Sequence, residues 1–90
     1  MTKKDMIELT NNISGIADDT LKLAKDLIDS GLIYNFEGLY PDHQGFIKFY
    51  KDLNESIVVT VQNKLYKVES IERVEPVYCY TLDDVRDALR

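Results

Sequence analysis

Ninety residues leave room for one domain with a modest core, and 44% hydrophobic with 30% charged residues is the composition of an ordinary soluble globular chain. Sixteen acidic side chains against eleven basic ones set the net charge at −5, which argues against direct nucleic-acid binding, since tracking phosphates needs a clustered basic surface. No apolar run reaches membrane-spanning length, and Lys3 and Lys4 lead into an amphipathic pattern instead of a signal-peptide core; the expected location is the cytoplasm, with no membrane partner.

The first third of the chain is organised by one stripe. Met6, Leu9, Ile13, Ile16, Thr20, Leu23 and Leu27 follow three-four spacing, and Ala17, Ala24, Ile7, Leu21 and Ile28 widen the apolar arc to roughly 160°. That breadth suits packing on a sheet better than a two-stranded coiled coil. Thr2 fits an N-cap, Asp5 suits the positive end of the helix dipole, and Gly31 fits a left-handed C-cap. The stripe keeps phase through the helix-weak stretch Asn11 to Gly15, so the spacing predicts one long helix over 2–30, with a break near Asn12 as the alternative.

From Leu32 the period becomes two, and strands are expected near 32–37, 46–51, 56–62, 65–71 and 77–80. Leu32, Tyr34 and Phe36 share the first strand's apolar side, and Pro41-Asp42 suits the turn of a hairpin. Apolar residues at both parities over Ile57 to Val61 suggest a central strand covered on both sides. Tyr66 and Val68 alternate with Lys67 and Glu69, which suits a half-buried strand. Thr81 then caps a closing helix over 82–89, with Asp83 and Asp84 in its first turn. The fold class expected is α+β: a long amphipathic N-terminal helix packed on a mainly antiparallel sheet of four to five strands, with a short C-terminal helix.

Length makes the first helix anomalous. Some 27 residues of helix reach about 40 Å, while strands of six or seven residues reach about 20 to 23 Å. Such a helix must bend near Asn12 to Gly15, cross the sheet diagonally, or overhang it. An overhanging end would present Met6, Leu9, Ile13 and Ile16 as an oligomer interface, which makes a homo-oligomer the expectation.

Little in the chain carries catalytic chemistry. His43 is the only histidine, Cys79 the only cysteine, and the four glycines are dispersed, so no metal ligand set, nucleophile pair or phosphate loop is expected, and no cofactor. Cys79 suits a buried strand position. Asp18 with Lys22 and Lys25 with Asp29 have the i, i+4 spacing of helix-surface pairs. Six tyrosines in or beside the strands offer broad contact area with a polar tip. The residues singled out for partner binding are Tyr40, His43 and Tyr50 around the first hairpin, and the helix acids Asp18, Asp19, Asp26 and Asp29. The function expected is that of a small acidic protein-binding or regulatory module, of the inhibitor or antagonist type familiar from phage-encoded proteins, and not of an enzyme. The alternative is a small-ligand binder, for a nucleotide or metabolite, with a tyrosine-lined pocket.

Overall fold

The computed structural model describes residues 2–12, 16–40, 46–52, 54, 56–62 and 64–89, with the backbone alone at 36–40 and 46. Helix α1 spans Lys3–Asn11 and helix α2 spans Asp18–Ser30. Thr2 starts α1 with a capping box: its hydroxyl accepts from the Asp5 amide at 3.1 Å, and the Asp5 carboxylate accepts from the Thr2 amide at 3.4 Å. At the end of α2, Gly31 takes φ 76°, a left-handed turn that a side chain would strain.

The single helix expected over 2–30 is therefore two, with Asn12 as the C-cap of the first. Asn11-Asn12 offers poor helix propensity, and side-chain competition for backbone groups favours a stop there. The break near Asn12, the alternative reading of the sequence, is the form the chain takes. The folded molecule is 33 Å in its longest dimension, shorter than a continuous helix of about 40 Å. The chain doubles back, and Lys3 Nζ donates to the Asp29 carbonyl at 3.0 Å, joining the start of α1 to the end of α2 in an antiparallel hairpin.

Breaking the helix also frees its two halves to rotate. In α2 the buried residues Thr20, Ala24, Leu27 and Ile28 match the predicted stripe. In α1 they are Met6 and Thr10, while Leu9, at the middle of the stripe, is turned out. Thr10 pays for its burial internally, its hydroxyl donating to the Met6 carbonyl at 2.8 Å.

Five strands follow: β1 Asn35–Tyr40, β2 Phe46–Tyr50, β3 Ile57–Gln62, β4 Leu65–Ser70 and β5 Val77–Cys79. Each pairs antiparallel with the next, so the sheet order copies the chain order. Helix α3, Leu82–Ala88, closes the described chain; the Thr81 hydroxyl accepts from the Asp84 amide at its N-cap. The first strand begins three residues later than expected. Ile33 is the buried residue of its approach and Tyr34 is exposed, reversing the alternation read from Leu32, Tyr34 and Phe36. Gly38, just past the strand expected over 32–37, pairs with Lys48 just after a bulge in β1. The turn expected at Pro41-Asp42 lies outside the described residues.

Register explains the core. Ile47, Val61, Tyr66 and Cys79 form one row across β2 to β5, and Phe49, Val59, Val68 and Val77 form the next. Every residue of the two rows is buried except Val77, which is half-buried. The helices lie on this face: the Tyr66 hydroxyl donates to the Leu23 carbonyl at 3.0 Å, and Ala24, Leu27, Ile28, Met6 and Val85 join the same cluster. The second face carries the row Lys48, Thr60, Lys67 and Tyr78. β3 is central, as its composition implied, yet the side expected to be covered by a second layer holds half-buried lysines around a buried Thr60. Among the described residues no helix is long and apolar enough to cross a membrane.

Candidate interaction surface

Large apolar side chains left in water concentrate at one place. Ile71 is 83% exposed, Val74 102%, Tyr78 53% and Tyr80 69%, while the described remainder of the chain adds only Leu9 and Tyr34 at 42% each. Scattered exposure needs no explanation, but a concentration within ten residues does. Ile71 pairs through its amide with Ser56 beside β3, Val74 lies in the β4–β5 connection, and Tyr78 and Tyr80 lie in and just after β5, so the four share one stretch of chain, the strip.

Hydrogen bonds hold the connection in shape. The Ile71 amide donates to the Ser56 carbonyl, the Arg73 amide to the Ser70 carbonyl, each at 3.1 Å, and the Glu72 amide to the Ser70 hydroxyl at 3.2 Å. The Arg73 guanidinium reaches the Ala88 carbonyl at 2.7 Å, tying the connection to the end of α3. Apolar groups presented on an anchored loop lose little freedom when a partner covers them.

Charge is gathered there too. Residues 71–90 hold five acids, Glu72, Glu75, Asp83, Asp84 and Asp87, against three arginines, a net of −2 within a chain of −5. Arg73 bonds to Ala88, and Arg86 pairs with Asp83 at 2.9 Å. Cys79, in β5 beneath the strip, registers this field: burial pushes its thiol pKa up, Asp84 adds to the rise, and Arg73 works against it. As its strand position implied, Cys79 is a free, buried thiol.

Among the described residues singled out from the sequence, the acids lie along α2, and the backbones of Tyr40 and Tyr50 lie at opposite ends of the β1–β2 pair. Asp18 and Asp19 are exposed in the first turn of α2, Asp26 pairs with Lys22 at 3.1 Å, and Asp29 is exposed at the end of the helix. The ion pair in α2 thus joins Lys22 to Asp26, one turn on from the expected partner Asp18. Tyr50 is half-buried opposite Asn35 and Val58, whereas the Tyr40 backbone pairs with Phe46, four residues or about 13 Å away along β2. His43 and Ile13 lie outside the described residues. Met6 and Ile16 are buried in the chain's own core, and Leu9 alone of the described interface candidates reaches the surface. The overhang that suggested an oligomer interface does not arise, because the chain forms two helices that fold back on each other.

Among the described residues, two open grooves of about 360 Å³ each are lined one by Asp19, Lys22, Leu23 and Lys64 and the other by Asp5, Glu8, Leu9 and Asn12. No three potential metal ligands gather among the described residues. Ile71, Val74, Tyr78 and Tyr80 were not singled out from the sequence. The available signal was Val74, an isolated apolar residue between Arg73 and Glu75 in a connector, where alternation gives it no core position. No protein-family model, curated protein sequence or solved structure matches this chain.

Proposed function

We propose that this protein is a small acidic protein-binding module, regulatory or antagonistic in its effect, that holds its partner on the strip from Ile71 to Tyr80. The exposure of Ile71, Val74, Tyr78 and Tyr80 on one stretch of chain, whose connection is held by hydrogen bonds, carries the proposal. Tyrosines with an aliphatic neighbour supply large contact area at low entropic cost, and an acidic surround selects among partners. The partner is a different protein and not a second copy through α1, since Met6 and Ile16 already serve the internal core. Cytoplasmic residence belongs to the same proposal.

Chemical crosslinking in an extract of the native host, followed by mass spectrometry, tests it. The chain and its Val74→Ser, Tyr78→Ser, Tyr80→Ser triple variant are compared at equal abundance. A protein crosslinked through residues 71–80 of the parent and lost from the variant is expected. An unchanged set of crosslinked proteins, with the variant still folded by circular dichroism, overturns the proposal.

A further inference from the structure

We propose that the outer edge of β5 takes an extended segment of its partner as a sixth strand, a segment in which apolar residues alternate with lysine or arginine. This rests on the protein-binding function above and specifies its chemistry. β5 pairs with β4 on one side and ends the sheet on the other, so its outer edge offers backbone groups to an added strand. Side chains of such a strand point alternately to the two faces. On one face they meet Tyr78, which lies in the row with Lys67, away from the helices; Tyr80 follows two residues later, with the same parity. That side asks for apolar residues.

On the other face the added strand runs beside α3. This helix packs on β4 and β5 from the core side, with Val85 and Leu89 buried and Asp83, Asp84 and Asp87 exposed. The Arg73 to Ala88 hydrogen bond brings its far end back to the β4–β5 connection, where Glu72 and Glu75 continue the acidic border. That side asks for cationic residues. Apolar and basic positions therefore alternate with the period of a strand. A second copy is the poorer occupant, since edge-to-edge pairing would set the acids of one border against those of the other.

The test uses two synthetic eight-residue peptides, one alternating valine with lysine and one alternating valine with glutamate, titrated into the isotopically labelled protein. Saturable amide shifts centred on residues 74–80 are expected with the lysine peptide. Its affinity should fall about tenfold or more between ionic strengths of about 0.05 and about 0.5 M. It should fall similarly in an Asp83→Asn, Asp84→Asn, Asp87→Asn variant whose melting confirms that it is folded; the glutamate peptide should not bind. Equal binding of both peptides, shifts centred elsewhere, no shifts at millimolar peptide, or pairing of two copies through β5 would overturn the inference. A host protein crosslinked through the strip, yet indifferent to the three neutralised acids, would leave the protein-binding function standing and remove the basic extended segment alone.

Discussion

Thr60 sits at the middle of the central strand, 2% exposed, with a hydroxyl that finds no hydrogen-bond partner. An orphaned hydroxyl forfeits its hydration without return. Replacing it with a methyl of nearly the same shape, Thr60→Val, should stabilise the protein by about 1 kcal/mol in urea denaturation; a loss of stability would show that the hydroxyl is in fact satisfied. Tyr66 presents the opposite case, a buried hydroxyl that donates to Leu23 across the sheet–helix interface. Burial first, and the charge of Asp26 second, push its pKa from 10.0 up to about 12. Below pH 10 both folded and unfolded chains keep the phenolic proton; between 10 and 12 only the unfolded chain gives it up, so stability declines as pH rises through that interval. Tyr66→Phe should cost about 1 kcal/mol at neutral pH and flatten that alkaline decline, which denaturation curves at several pH values above 9 would reveal. Both burials had a visible basis: Tyr66 and Val68 alternate with charged residues, and Val58 and Thr60 share the less apolar parity of an otherwise apolar strand. Thr10 had none, because its hydroxyl is satisfied within its own helix and a threonine beside Leu9 looks like the edge of the stripe.

The elements themselves were legible where a local signal marks them. Thr2, Thr81 and Gly31 perform the capping their positions imply, and β2 to β5 lie within a residue of their expected bounds. The helix break was obscured because the apolar spacing before and after it coincides in phase, and periodicity cannot distinguish one helix from two that fold back on each other. β1 was displaced because Leu32 and Ile33 are both apolar, and which of them turns inward depends on how the chain leaves Gly31. The start of α2 carries a deficiency the sequence does expose. Its N-cap is Ala17, with no side chain to satisfy the first amides, although Asp18 and Asp19 favour the dipole. Ala17→Ser should stabilise the protein by roughly 0.5 to 1 kcal/mol, read as a rise in urea midpoint at constant slope; no change would place the cap's role with the neighbouring aspartates.

For the molecule as a whole, the strip escaped sequence reading because it is made by folding: Tyr78 and Tyr80 become an edge only when β5 proves to be the last strand. The acids of 83–87 border it only because α3 returns beneath β4 and β5. The opposite holds for Met6, which the sequence offers equally to the core or to a partner and which the bent helix assigns to the core. Met6→Ala should therefore lower stability by about 2 to 5 kcal/mol while leaving the molecular mass in light scattering unchanged; a change in oligomeric mass at constant stability would reverse that assignment. The sheet order bears on how the protein comes into being. Because each strand pairs with the one just before it, assembly can keep pace with synthesis, closing one hairpin at a time over short stretches of chain, the arrangement that favours rapid folding. β5 and α3 emerge after the four strands before them. Until they arrive, β4 is the open border of a growing sheet, with Tyr66 and Val68 already in place. β5 thus covers that border and leaves its own outer side as the edge of the sheet.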